Sequence, residues 1–126
     1  MILGIGVDSI EIERFAQWHT YALKKLLRIF SQEEIDYCLS NRHKSAERFA
    51  ARFAAREALY KALSYACPYK KIPFLMLCKN TIVTKKAGLP QLIIHDMVDT
   101  SSLIIHLSLS HSRIVATAFV VIEQEK

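Results

Sequence analysis

Three residues of this 126-residue chain have types and positions suited to phosphate chemistry: Asp8, Glu57 and Lys61. Asp8 closes an apolar run, Ile2-Leu3-Gly4-Ile5-Gly6-Val7-Asp8, that reads as a buried strand ending in a carboxylate. Glu57 lies on the longest helical pattern, residues 45–66, which is rich in Ala, Arg, Leu and Glu and free of Gly and Pro. With Phe53 set to zero and residues spaced about 100° apart, Phe49, Tyr60, Ala46 and Ala50 form one apolar stripe, and Glu57 falls inside it at about +40°. A carboxylate carried into such a stripe is costly unless a cation or hydrogen-bond donors meet it, or it takes up a proton. Two partners fit that requirement. Lys61 follows one turn later in the favourable Glu-to-Lys order, worth about 0.2–0.5 kcal/mol on an exposed helix. The other is a divalent metal shared with Asp8, since two hard oxygens suit Mg²⁺ with phosphate and water filling its shell.

Arg52, Arg56 and Lys61 flank Glu57 at about −100°, −60° and +80° on the same wheel. Singly each reads as a solvated rim residue; clustered beside a metal, guanidinium and ammonium groups suit a pyrophosphate. Ser108-Leu109-Ser110-His111 adds hydroxyls and an imidazole at a hairpin tip. Gly4-Ile5-Gly6 lacks the third glycine of a dinucleotide fingerprint, and neither a Walker loop nor a G-x-S-x-G elbow occurs.

The elements that must hold these residues follow from local pattern. Residues 10–28 read as helical and basic, with Arg14, Lys24, Lys25 and Arg28 among apolar positions. Ser31-Gln32-Glu33-Glu34 is a capping box that opens a helix to about Leu39. After helix 45–66, β-branched runs at 74–84 and 91–95 flank a turn at Gly88-Leu89-Pro90. Strands at 103–110 and 114–123 then form a hairpin, with Leu103, Leu107 and Leu109 on one face and His106, Ser108 and Ser110 on the other. In the second of these strands Ile114, Ala116, Ala118 and Val120 oppose Val115, Phe119 and Val121, a pattern that fits burial on both faces. The order is α+β: an N-terminal strand and helices packed on an antiparallel sheet, one domain over residues 1–126.

Composition agrees with a folded domain, at 52% hydrophobic against 23% charged. A net charge of +5 points to an anionic partner, and it sits mainly in residues 20–62. No run approaches a membrane span, and Cys38, Cys67 and Cys78 lack metal or disulfide spacing, which makes a reducing cytoplasm the expected setting.

Together, Gly4-Ile5-Gly6-Val7-Asp8 with Glu11-Ile12-Glu13-Arg14, the block Arg52 to Ala62, and Ser108-Leu109-Ser110-His111 resemble the short, single-unit members of the 4'-phosphopantetheinyl transferase superfamily. The resemblance spans the whole chain and implies that family's fold. It also implies transfer of the 4'-phosphopantetheine arm of coenzyme A to a serine of apo acyl carrier protein, releasing adenosine 3',5'-bisphosphate, in fatty acid biosynthesis. It assigns Mg²⁺ to Asp8 and Glu57, and Lys61 to the pyrophosphate beside them as a catalytic pair with Glu57. Coenzyme A contacts fall to Arg52, Arg56, Ser110 and His111, and the acidic carrier protein to Arg14 with Lys24, Lys25 and Arg28. By the same resemblance the assembly is a homotrimer with sites between subunits. Three positions depart from the pattern: Arg56 replaces the usual Lys, Ser64-Tyr65-Ala66-Cys67 replaces a Gly-Thr-Gly-like turn, and Leu89 replaces the Lys of Gly-Lys-Pro. The rival readings are a basic nucleic-acid-binding domain and a non-catalytic domain that binds an acidic protein. The nucleic-acid reading has no use for Asp8 or Glu57.

Overall fold

Strand β1 (Ile2–Glu11) lies across helix α3 (Ser45–Ala66), and that crossing sets the rest of the fold. The structure, a computed structural model, describes residues 1–126. Along β1 the residues Gly4, Gly6, Asp8 and Ile10 turn inward, while Ile5, Val7 and Ser9 are exposed on the other face. A Cβ added at Gly4 would fall on the carbonyl oxygen of Ala62, and one at Gly6 on that of Ala58. Only a residue without a side chain lets the strand backbone approach the helix this closely, and the small Ala58 and Ala62 complete the fit.

The main sheet is three-stranded, in the order β1, β5 (Val115–Gln124), β4 (Leu103–His111), and antiparallel throughout. Ala116, Ala118, Val120 and Ile122 of the central strand are buried among the alanines of α3. The alternation read for Leu103 to Ser110 holds along β4. A second, two-stranded sheet pairs β2 (Thr81–Lys86) with β3 (Leu89–Ile94), reversing at Ala87 and Gly88, both with positive φ. Three short helices complete the α+β architecture: α1 (Leu23–Leu26), α2 (Gln32–Leu39) and α4 (Phe74–Lys79).

Several local expectations hold. The capping box forms between Ser31 and Glu34, helix α3 spans 45–66 as its pattern requires, and the hairpin pairs Ser110 with Thr117. Others are corrected by tertiary packing. Strand β1 continues past Asp8 to Glu11, so Asp8 lies within a strand and not at its end. Residues 10–28 are not one helix but a strand end, two 3₁₀ turns (Ile12–Phe15 and Trp18–Thr20) and α1. Here Ile10 is buried in the core, the Ile12 amide donates to the Ile114 carbonyl, and Phe15 and Trp18 stack against Phe53 and Phe49. These contacts outweigh helical propensity, which is a weak prior. Residues 74–79, expected as strand, form α4, whose Phe74 ring meets Phe53 and Tyr60 edge-on.

The wheel of α3 also needs correction. Elements on several sides bury it around most of its circumference, including Ala54, Ala55, Arg56, Leu59 and Leu63. Phe49 and Ala50 of the expected stripe are buried, but Phe53 and Glu57 are only half-buried, and Tyr60 and Lys61 are exposed. Glu57 therefore stands at the edge of the core, on a strip of the helix that opens to solvent. We predict that Gly6→Ala lowers stability by about 3 kcal/mol or more, through forced separation of β1 and α3. Gly88→Ala, with open space but φ of +80°, costs about 1–2 kcal/mol. Thermal unfolding of the two variants side by side checks the difference; equal effects would refute it.

Candidate active site

The glycine contact brings Asp8 of β1 over the last turns of α3. Lys61 donates one hydrogen bond to the Val7 carbonyl at 2.9 Å and one to Asp8 Oδ1 at 3.2 Å. Asp8 is mostly shielded, with 18% of its side chain exposed, whereas Lys61 is half-exposed. The two residues are 53 positions apart in sequence, so the pair is a product of the fold. Lys61 makes no hydrogen bond or ion pair with Glu57 one turn earlier; the local i,i+4 pair gives way to the long-range one.

Glu57 is left facing like charge. Burial, and then the negative charge of Asp8, raise its carboxyl above the ordinary carboxylate range; Lys61 and Arg14 pull it back in part. Arg14, carried by the first 3₁₀ turn, thus belongs to the electrostatic surroundings of Glu57. No group of three or more His, Cys, Asp or Glu side chains gathers anywhere to cage a metal. Asp8 and Glu57 nevertheless fit a hard divalent cation: both donors are oxygen, they repel each other without one, and the exposed strip leaves room for water and phosphate oxygens. Beside them Lys61, Tyr60, Tyr65, Val7 and Phe119 line an apolar cavity of about 450 Å³.

A second set of residues gathers elsewhere. Arg52, Ser110 and His111 line a separate cavity of about 200 Å³ together with Tyr37, Lys44 and Arg48. The His111 Nε2 lies 2.9 Å from Glu47 Oε1. The Arg52 guanidinium stacks 4.6 Å over the Tyr37 ring and donates weakly to the Arg48 carbonyl, while its buried Nε has no partner. Arg52 and Glu57 are five residues apart, which places them about 140° apart around the helix. The structure joins Asp8, Glu57 and Lys61, and joins Arg52, Ser110 and His111, but does not join the two sets within one chain.

Arg56 does not sit where a cofactor contact was expected. It is fully buried, its charge answered by Glu34 at 2.6 Å. Lys24, Lys25 and Arg28 are exposed around α1 beside exposed Leu23 and Leu27, a basic surface with apolar points, though not the continuous helix expected. The aromatic and cationic residues Tyr37, Lys44, Arg48 and Lys85 escaped sequence reading. The i,i+4 spacing of Lys44, Arg48 and Arg52 is their local signal.

Comparison with known proteins shows the family. Residues 4–118 match the profile of the 4'-phosphopantetheinyl transferase superfamily. The chain belongs to that superfamily, and with it the resemblance of the three sequence blocks and the α+β fold class stand. Its relatives over full length include a holo-[acyl-carrier-protein] synthase of Treponema pallidum, 38% identical over 99% of this chain and 98% of that one. Another, of Clostridium perfringens, is 36% identical over 99% and 96%. Among solved structures, a holo-(acyl-carrier-protein) synthase of Bacillus anthracis in complex with CoA (3',5'-ADP) superposes with a TM-score of 0.77 at 33% identity, covering 99% of each chain.

The direction of the Glu57 shift has a measurable consequence. Its carboxyl binds a proton more tightly folded than unfolded, so its contribution to stability is present at low pH and is lost as pH rises through and beyond the ordinary carboxylate range. With chelator present, Glu57→Gln should raise the melting temperature at neutral pH and flatten its decline from acidic to neutral pH. A variant less stable than the parent at neutral pH would contradict this.

Proposed function

We propose that this chain is a holo-[acyl-carrier-protein] synthase, one domain over residues 1–126, which moves the 4'-phosphopantetheine group from coenzyme A to a serine of apo acyl carrier protein and releases adenosine 3',5'-bisphosphate for fatty acid biosynthesis. The observation that carries the reading is the convergence of Asp8, Glu57 and Lys61 from two distant segments at the edge of the core. Full-length kinship with proteins of that name supports it.

Asp8 and Glu57 would hold Mg²⁺, which when bound supplies charge neutralisation to the pyrophosphate oxygens. Lys61 is already fixed by Val7 and Asp8, so its ammonium meets the charge that develops on the leaving phosphate without reorganising. The attacking serine must lose a proton, and the Glu57 carboxylate is one acceptor within the site. Arg52, Ser110 and His111 take the nucleotide end of coenzyme A. The basic surface of Lys24, Lys25 and Arg28, with Arg14 nearer the carboxylates, receives the acidic carrier protein. No helix is long and apolar enough to cross a membrane, and the three cysteines are free thiols, in keeping with a cytoplasmic role.

Assembly completes the site in this reading. Lys61 lines one cavity and Arg52, Ser110 and His111 line another, and in this reading neighbouring copies bring the two residue sets onto one substrate. The outer sheet face supports this: Ile5, Val7, Ile104 and Phe119 are each at least 38% exposed there, although the strand pattern fits burial. A homotrimer closes such a contact by symmetry.

Two measurements test the function. The parent protein with coenzyme A, Mg²⁺ and apo acyl carrier protein should add a phosphopantetheine mass to the carrier, and Asp8→Asn should slow this about 100-fold or more while remaining folded. Carrier that binds without gaining mass would instead favour a non-catalytic acidic-protein binder. For the shared site, Asp8→Asn and Arg52→Ala chains, each inactive, should regain activity when refolded together. Random mixing restores roughly a quarter of trimer sites, and mixtures as inactive as their components would refute inter-subunit sites.

A further inference from the structure

Arg56 has no place at either cavity, yet it is the most fully bonded side chain in the protein. Its Nη1 and Nη2 meet Glu34 Oε2 and Oε1 at 2.8 and 2.6 Å in a bidentate pair. The remaining donors reach three carbonyls: Nη1 that of Arg52 at 3.2 Å, Nη2 that of Thr81 at 2.7 Å, and Nε that of Cys78 at 3.3 Å. All five guanidinium N–H groups are thus used, without a water. Glu34 in turn accepts from the Ser31 amide and hydroxyl, so both partners are satisfied away from solvent. A buried ion pair of this kind is weak evidence of added stability and better evidence of a geometry being specified.

The elements it ties together carry a shared feature. Glu34 belongs to α2, the Arg52 carbonyl to α3, and Thr81 begins β2. Each of those three elements also sends a side chain or two to a common point: Tyr37 from α2, Arg48 and Arg52 from α3 and Lys85 from β2. The Arg52 guanidinium lies 4.6 Å and the Lys85 ammonium 5.0 Å from the Tyr37 ring centre, and Lys85 donates to the Tyr37 hydroxyl at 3.2 Å. Arg48 stacks at 4.0 Å on the same ring. Three cations around one aromatic ring repel one another, so the frame beneath adds to the ring and hydrogen-bond contacts that hold them at these distances.

We propose that Arg56 is a positioning residue for coenzyme A binding: through Glu34 and the carbonyls of Arg52 and Thr81 it locks α2, α3 and β2 in the arrangement that aims Tyr37, Arg52 and Lys85 at the cofactor's phosphates. It acts through these residues and touches no substrate. The inference rests on the transfer reading above. Lysine at this position keeps the charge but offers three donors from one nitrogen, so it cannot bridge both Glu34 oxygens and reach the Cys78 and Thr81 carbonyls as well.

The test compares Arg56→Lys, Lys85→Met and the parent at a temperature where near-ultraviolet circular dichroism finds all three folded. Arg56→Lys should raise KM for coenzyme A, and Kd for adenosine 3',5'-bisphosphate by titration calorimetry, about tenfold with kcat within about twofold. Lys85→Met, at the surface and outside the clamp, should raise the same KM about threefold. A parent that transfers normally beside an Arg56→Lys or a Lys85→Met variant with unchanged KM overturns the clamp and leaves the function standing. So does a fall in kcat at constant KM. A parent that binds no coenzyme A overturns both.

Discussion

The approach of β1 to α3 through Gly4 and Gly6 is the constraint from which the rest of the molecule follows. Two absent side chains let a strand backbone rest on the carbonyls of Ala58 and Ala62. That contact does more than seal the core. It sets the height of β1 above the helix, and so the distance at which Asp8, two residues beyond Gly6 on the same face, meets Lys61. Cores packed at near-crystalline density transmit such a spacing rigidly, which makes a packing detail a determinant of site geometry.

The polar side chains divide their labour by depth. At the edge of the core, Lys61 answers Asp8 while Glu57 has no bonded cation, and the raised proton affinity of Glu57 records the deficit. Deeper, Arg56 and Glu34 leave no donor or acceptor unmet. Adjacent residues of one helix, Arg56 and Glu57, therefore have opposite fates because 100° of rotation separates the interior from the open strip. A carboxylate left without a cation would destabilise a purely structural helix, and it suits the metal-assisted transfer proposed above.

In a chain of 126 residues built around one long helix, Lys61 and Arg52 line cavities on different sides of that helix. The three-stranded sheet leaves Ile5, Val7, Ile104 and Phe119 exposed on its outer face, the surface on which the proposed assembly relies.

Local pattern alone determined much of this protein. The capping box at Ser31, the Gly-free run of α3, the alternating hairpin strands and the α+β order all arise from interactions within a few residues, which is why they are legible in one dimension. Asp8, Glu57, Lys61, Arg52, Ser110 and His111 stand out as candidates in one dimension too, as residue types and as a family pattern. Their partners do not. That Lys61 turns to Asp8 and away from Glu57, that Gly4 and Gly6 serve packing, that 10–28 breaks into turns and 74–79 coils into a helix, and that Arg56 is consumed by Glu34 were decided only by the tertiary structure. Each depends on groups more than twenty residues apart, or on rings packing from several elements at once, and no local spacing encodes which of two available charges will be nearer in space.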